Sequence, residues 1–197
     1  MKLIVATGNQ GKMDEIREIM SELDCEILSM KEVGIDIEIE ENGSSFEENA
    51  LIKAREVAKL TDGIVMADDS GLEVDYLNKE PGIYSARYLG EDVGFTEKCD
   101  YIIGKLEGVE GQKRSARFVC AIACIFPDGS QECVVGTVEG LVANKRSGSK
   151  GFGYDPIFYY PESNCTFSEM SRMEKNAISH RGIALERIRK VLENREK

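Results

Sequence analysis

The 197-residue sequence is poor in the residues on which many metal sites and disulfide-rich proteins depend. It has no tryptophan, four prolines and one histidine, His180. A single histidine excludes zinc sites built on two or more, and the six cysteines contain no CxxC pair. Two of them, Cys120 and Cys124, lie in an apolar run. We therefore expect reduced thiols rather than a disulfide framework.

Positive charge and long hydrophobic runs are also scarce. With 25 basic and 36 acidic residues the formal net charge is −11, which argues against a nucleic-acid partner, because such a surface needs a basic stripe. No apolar run is long enough to span a bilayer, and no basic-then-apolar leader opens the chain. We expect a cytoplasmic protein that does not bind membranes. If a metal is used, carboxylates must hold it, which favours Mg²⁺, with Mn²⁺ as the alternative.

Composition and length indicate one ordinary globular domain. Hydrophobic residues make up 42% and charged residues 31% of the chain. A chain of 197 residues can bury a substantial core, and no internal repeat, low-complexity segment or linker divides it. We therefore expect a single domain over residues 1–197.

The most informative stretch is an apolar run that ends in two adjacent carboxylates. Residues 64–67 predict a buried strand, and Asp68, Asp69, Ser70 and Gly71 follow at its carboxyl end, where open α/β sheets bind ligands. Adjacent carboxylates repel each other unless positive charge is near, and Mg²⁺ is usually held by one or two carboxylates together with substrate phosphates. The stretch therefore favours a metal site, and a strand with a polar turn is the alternative.

A short glycine loop near the start of the chain predicts an anion site. A β-type run at 2–7 precedes the loop Gly8–Lys12, and apolar residues then recur at helical spacing from Met13 to Leu23. Backbone N–H groups at the start of a helix attract phosphate, and Lys12 adds a full charge. The loop is shorter than a P-loop, so an ordinary turn is the alternative.

Two neighbouring segments offer further ligands. The acidic segment 35–43 could bring Glu40 or Glu41 to the metal, although its alternating isoleucines also fit a solvated edge strand. On the helix predicted after it, Asn49 and Lys53 lie one turn apart and could reach phosphate. An exposed, solvated lysine is the alternative.

A second glycine-rich loop, at 146–156, predicts a site for a planar ring. Phe152 and Tyr154 could stack on a base, since glycines let aromatic faces approach it closely, and Asp155 could accept a hydrogen bond from a ring N–H. Aromatic residues that fill the core are the alternative.

The segments that flank this loop indicate a mixed sheet and a group of donors. Strands predicted at 115–126 and 131–142 form a hairpin with no helix between them, so the α/β sheet cannot be purely parallel. Near the C-terminus, Lys175, His180 and Arg181 form a compact donor cluster, although a lone histidine also fits a structural role.

Metal, phosphate and ring sites together indicate a nucleoside triphosphate. The chain also resembles a known family, the inosine triphosphate pyrophosphatases, which are also called non-standard purine nucleotide pyrophosphatases. The ordered motifs that carry the resemblance are Thr7-Gly8-Asn9-x-x-Lys12, Phe46-x-x-Asn49-Ala50, Ala67-Asp68-Asp69-Ser70-Gly71-Leu72, Pro81-Gly82-Ile83-Tyr84-Ser85-Ala86-Arg87, Gly151-Phe152-Gly153-Tyr154-Asp155-Pro156, Glu174-Lys175 and Ile178-Ser179-His180-Arg181-Gly182. The departures are Lys150, where the family more often has glycine, and Met173, which replaces a usual acid.

The resemblance implies an α/β fold with a long mixed β-sheet flanked by helices, two lobes with a central cleft, and a homodimer. It implies hydrolysis of ITP, dITP and XTP to the monophosphate and pyrophosphate, which removes deaminated purines from the nucleotide pool. Mg²⁺ is then held by Asp69 with Glu40 or Glu41, and Asp69 is the catalytic base. The residues expected to bind substrate are Thr7, Gly8, Asn9, Gln10, Gly11, Lys12, Ser70, Phe152, Gly153, Tyr154, Asp155, Lys175, His180 and Arg181.

Base choice follows from hydrogen bonding at C6. Hypoxanthine and xanthine carry an acceptor oxygen there, where adenine carries an amino donor, so donors from His180, Arg181 or loop N–H groups would discriminate between them. Two other functions stay open: a related pyrophosphatase acting on modified pyrimidine or methylated nucleotides, and a nucleotide-binding regulator without turnover. The carboxylates beside Ser70 argue against the regulator, because a binder does not need them.

Overall fold

The structure is a computed structural model that describes residues 2–195, and its first half alternates strands with helices. The elements in chain order are β1 (Lys2–Val5), α1 (Gln10–Ile19), β2 (Glu26–Ser29), α2 (Phe46–Ala58), β3 (Ile64–Val74), α3 (Phe95–Lys105), β4 (Ser115–Ile125), β5 (Gln131–Val142), β6 (Phe158–Tyr160), β7 (Cys165–Thr166), α4 (Arg172–Ile178) and α5 (His180–Arg195). Short 3₁₀ turns connect several of them.

Within residues 2–195, seven strands form one mixed sheet in the order β2-β1-β3-β4-β5-β6-β7. β1 pairs in parallel with β2 and β3, whereas β6 pairs antiparallel with β5 and β7. The expected α/β class with a long mixed sheet is therefore confirmed. Val5 lies opposite Met66, and the Ala6 N–H donates to the Met66 carbonyl at 2.7 Å. This register brings the loop after β1 level with the carboxylates of β3.

The chain forms two compact units, the first comprising residues 2–69, 120–136 and 181–195. Its core takes apolar residues from α1, α5 and the strands β1, β3 and β4. Its members with 0–1% exposure include Leu3, Ile16, Met20, Met66, Ile122, Leu185 and Ile188. Asn9 caps α1 by accepting the Lys12 N–H. The predicted helix is therefore present, but it begins at Gln10, inside the segment predicted as a loop, and ends at Ile19.

The second unit comprises residues 70–119 and 137–180. Its core members include Leu72, Val74, Ile102, Phe118, Phe158 and Phe167. Arg114 is buried in this unit and donates to the carbonyls of Leu106, Val109, Val142 and Ala143. Four carbonyl partners satisfy a guanidinium that has left water, as a buried donor requires.

Two local predictions are wrong. The segment 35–43 forms no strand, because its end is held by α2 instead of a sheet edge. The apolar and aromatic run at 157–160 predicts a strand, but β6 begins at Phe158, since Ile157 ends a 3₁₀ turn. Ser45 caps α2 by accepting the Glu48 N–H, and Ser171 caps α4 in a capping box with Glu174, a pattern that is readable in the sequence. None of the helices within residues 2–195 is long and apolar enough to cross a membrane.

Candidate active site

Asp68 and Asp69, the adjacent carboxylates of β3, lie in the first unit and are both buried. Asp68 Oδ2 lies 3.0 Å from Lys12 Nζ and 3.3 Å from Arg181 Nη2. Burial alone would raise the pKa of Asp68, but Lys12 and Arg181 outweigh it and hold that pKa well below its usual range. Asp68 is therefore a permanent anion that binds two cations.

Asp69 has a different environment, although it is the next residue. Its Oδ1 lies 3.2 Å from Lys53 Nζ, and its Oδ2 accepts from Asn49 Nδ2 at 3.2 Å. Burial raises the pKa of Asp69, and the charge of Glu41 adds to this, in opposition to Lys53 and Lys12. A carboxylate with a raised pKa is a better proton acceptor, which suits the catalytic base expected here.

Lys53 joins Asp69 to one of the two candidate glutamates. Its Nζ lies 3.2 Å from Glu41 Oε1, whereas the Glu40 side chain is exposed. Burial opposes the charge of Lys53, but the carboxylates around it raise its pKa, so it stays a cation. Residues 2–195 contain no group of three or more His, Cys, Asp or Glu placed to hold a metal. Two carboxylate oxygens that already converge on one cation nevertheless fit Mg²⁺, which takes oxygen ligands and would be held by these carboxylates together with substrate phosphates.

The loop before α1 presents its backbone at the surface. Gly8, Asn9 and Gln10 are exposed, while Thr7, Gly11 and Lys12 are half-buried. The side chains of Asn9 and Gln10 are engaged within the loop and helix, since Asn9 caps α1 and Gln10 donates to Asp14 at 2.7 Å. The Thr7 and Asn9 N–H groups donate to the Val5 carbonyl and the Thr7 hydroxyl. The loop can therefore offer an anion the remaining N–H groups, together with the Lys12 ammonium that already pairs with Asp68.

Arg181 is fully buried in the first turn of α5. Its Nη1 lies 2.5 Å from Glu15 Oε2, and its Nη2 bonds Asp68. Nothing in the sequence analysis identified Glu15, although an acid beside Met13 and Ile16 on the apolar face of α1 is a usable signal. Arg181 is one of the three residues expected to donate to the substrate, but its guanidinium bonds two carboxylates of the protein instead.

In the second unit, Lys175 and Asp155 form a buried ion pair. Lys175 Nζ lies 2.6 Å from Asp155 Oδ2, which also accepts the Phe152 N–H at 2.9 Å. The same ammonium lies 4.7 Å from the Phe152 ring centroid. Gly151 has a φ of +73°, and a Cβ there would lie 2.1 Å from the Asp155 carboxylate. The loop conformation therefore requires glycine at this position.

The other expected binding residues of this unit differ in exposure. Tyr154 is buried, its hydroxyl donates to the Ser85 carbonyl at 2.8 Å, and its ring packs edge-on against Phe95 at 5.2 Å. For Tyr154, this packing agrees with the alternative interpretation of the loop, in which its aromatic residues fill the core. His180 is buried and stacks on Phe118, with ring centroids 4.6 Å apart. Ser70, Phe152 and Gly153 are half-buried and remain accessible.

Comparisons with known proteins agree with this fold and these motifs. The Ham1 family profile matches residues 3–191. A Clostridium perfringens protein named dITP/XTP pyrophosphatase is 47% identical over 194 residues, covering 95% of each chain. A Bacillus subtilis protein of the same name is 45% identical over 190 residues, covering 96% of each.

Solved structures are similar over the whole chain. The Staphylococcus aureus Ham1 protein is 41% identical, with a TM-score of 0.88 and complete coverage of both chains. A HAM1 protein from Coxiella burnetii is 40% identical, with a TM-score of 0.89, and the match covers 98% of this chain and 99% of that one. The chain belongs to the Ham1 family.

Proposed function

We propose that this protein hydrolyses the non-standard purine nucleotides ITP, dITP and XTP to the monophosphate and pyrophosphate, and so clears them from the nucleotide pool. The relatives named dITP/XTP pyrophosphatase support the substrate class, since they match at 45–47% identity over nearly the full length. The observation that carries the chemistry is Asp69, buried between Lys53 and Asn49 with a raised pKa.

The proposed cofactor is Mg²⁺, with Mn²⁺ as the alternative. Asp69 and one glutamate hold it, and the position of Glu41 at Lys53 favours Glu41 over the exposed Glu40. When bound, the ion neutralises charge on the phosphate oxygens.

In the proposed reaction, Asp69 accepts a proton from a water as that water attacks the α-phosphorus. The new bond joins the water oxygen to the α-phosphorus, and the bond from the α-phosphorus to the bridging oxygen breaks. Its electrons leave with pyrophosphate. Lys12, Lys175 and Ser70 stabilise charge that develops on the phosphoryl oxygens. The N–H groups of Gly8, Gln10 and Gly11 bind the phosphate chain, because those of Thr7 and Asn9 donate to Val5 and Thr7.

The base is assigned to the residues around the second glycine loop. Phe152 offers a half-buried aromatic face, and Asp155 offers an acceptor held in place by Lys175. The other residues assigned to base binding are Gly153, Tyr154, His180 and Arg181. Tyr154 and Arg181 are buried and act indirectly, by positioning the residues that they bond. Donors near C6 favour a purine with an oxygen there over adenine.

Two properties beyond the reaction are proposed with it. The protein acts in the cytoplasm, and it forms a homodimer, as the family resemblance implies. Exposed aromatic side chains in the second unit, at Tyr76 and Tyr84, are compatible with a partner surface. A native mass near twice the 21.9 kDa of the chain would support the dimer.

The test measures products from ITP, dITP, XTP, GTP and ATP with Mg²⁺ for the wild-type protein and for Asp69→Asn. Asp62→Asn serves as the control, because Asp62 is an exposed aspartate. We expect pyrophosphate from the first three nucleotides, at least about a hundredfold less from Asp69→Asn, and no change in the control. Orthophosphate as the product, or normal turnover by Asp69→Asn, would refute the proposal. Tight ITP binding with no product would favour the non-catalytic regulator instead.

A further inference from the structure

Lys53 occupies a position between two carboxylates that the proposed function assigns to a metal. Its ammonium lies 3.2 Å from Glu41 Oε1 and 3.2 Å from Asp69 Oδ1, and the side chain is only 11% exposed. An ammonium held in this way balances the same negative charge that a divalent cation would balance.

The carboxylates around Lys53 are fixed by further contacts. Asn49, one turn earlier on α2, donates to Asp69 Oδ2 and accepts the Gly43 N–H at 2.8 Å. A Cβ on Gly43 would lie 2.7 Å from Asn49 Oδ1, so this close approach requires glycine. One helix turn therefore holds both Asp69 and the segment that carries Glu41.

We propose that Lys53 is a built-in counter-cation, which holds Glu41 and Asp69 together before the metal binds and competes with the metal for them. It follows that the divalent ion binds tightly only together with the nucleotide. This inference rests on the metal ligands of the proposed function, Glu41 and Asp69.

The physical reason is the balance of charge in a buried group. Without Lys53, two neighbouring carboxylates out of water would repel each other. With Lys53 in place, an entering Mg²⁺ is repelled by the nearby ammonium and must displace it from the carboxylate oxygens. The ammonium needs a new anion when it gives them up, and the phosphate oxygens of a nucleotide supply one. Metal and nucleotide binding are then positively coupled, each tightening the other by the same factor.

The first measurement is metal binding without turnover, on the full chain, with Mn²⁺ as the probe followed by electron paramagnetic resonance. Lys53→Met and Lys53→Gln are compared with the wild type, and the glutamine variant keeps a polar side chain in case methionine impairs folding. Lys59→Met is the matched control, because Lys59 lies just past the end of α2 and is 64% exposed. We expect both Lys53 variants to bind Mn²⁺ at least about tenfold more tightly than the wild type, and Lys59→Met to match it. Equal or weaker binding by both Lys53 variants would overturn the inference.

The second measurement tests the coupling, with a dITP analogue that has a methylene group between the α- and β-phosphorus atoms. We expect the analogue to tighten Mn²⁺ binding by a larger factor in the wild type than in Lys53→Gln. Equal factors would overturn the inference. The proposed function would be unaffected by that result, because it is tested separately by pyrophosphate release from dITP. Conversely, the expected binding pattern in a protein that releases no pyrophosphate would support the role of Lys53 and refute the proposed function.

Discussion

Arg181 Nη2 lies 3.3 Å from Asp68 Oδ2, and the two residues are 113 positions apart in the chain. The contact joins the start of α5 to β3 inside the first unit. Since Asp68 also bonds Lys12, the position of the Lys12 ammonium depends on a residue from the far end of the sequence.

Removal of the Arg181 charge should destabilise the protein strongly. Arg181→Met leaves Glu15 and Asp68 buried without their shared cation, which typically costs about 3–5 kcal/mol. Urea denaturation of the metal-free protein measures this directly. Arg187→Met, on the exposed side of α5, should cost less than about 1 kcal/mol. If the two variants were equally stable, the buried network would not support the fold as described.

Stability should fall in acid because of Asp68. Its folded pKa is depressed, so its contribution is fully present above the ordinary aspartate value of 3.8 and is lost as pH falls through the folded pKa. Denaturation midpoints in EDTA between pH 7 and pH 2 should therefore drop below about pH 4. Asp68→Asn should flatten this drop, and Asp62→Asn should not. An unchanged drop in Asp68→Asn would assign the acid sensitivity to other carboxylates.

Lys175 should matter more for substrate binding than Lys150, although Lys150 lies in the second glycine loop and Lys175 only contacts that loop, through Asp155. Lys175 Nζ is bound to the buried Asp155, whereas Lys150 is exposed and its Nζ donates to the Glu169 carbonyl at 3.2 Å. We expect Lys175→Met to raise KM for ITP at least about tenfold and also to lower kcat, because Lys175 is assigned to the charge that develops on the phosphoryl oxygens. Lys150→Met should change KM less than about twofold. Steady-state kinetics with ITP separates them. A comparable rise in both variants would make Lys150 a substrate contact.

Gly151 should not tolerate a side chain. A Cβ there meets the Asp155 carboxylate, and its φ of +73° disfavours an L-residue. We expect Gly151→Ala to lower kcat/KM at least about tenfold and to cost roughly 1–3 kcal/mol of stability. Gly104→Ala is the control, since Gly104 lies on the exposed side of α3 with open space at its Cβ, and it should stabilise by about 0.5–1 kcal/mol. Wild-type kinetics in Gly151→Ala would show that this loop adapts.

Much of the fold could be predicted because the signals are local. An apolar run that ends in Asp68 and Asp69 marks a buried strand with acids at its end, and Ser171 with Glu174 marks the start of α4. The mixed character of the sheet follows from a turn at 127–129 with no helix between the flanking strands. The ordered motifs likewise identified the family.

The partners of buried charges could not be predicted, because they come from distant positions. A lysine at this position of a helix predicts a solvated side chain. Lys53 is a buried cation because Asp69 and Glu41, which are distant in sequence, lie close to it in space. The choice between Glu40 and Glu41 also depends on Lys53. The same contacts explain why the segment 35–43 is no strand, since Gly43 bonds Asn49 instead of a sheet neighbour.

The most direct test of the central claim is hydrolysis of ITP in water enriched in ¹⁸O, followed by mass spectrometry of both products. Attack at the α-phosphorus predicts one ¹⁸O in the monophosphate and none in pyrophosphate. Label in pyrophosphate would place the attack at the β-phosphorus, and labelled orthophosphate would place it at the γ-phosphorus. Either result would contradict the account given for Asp69 and its neighbours.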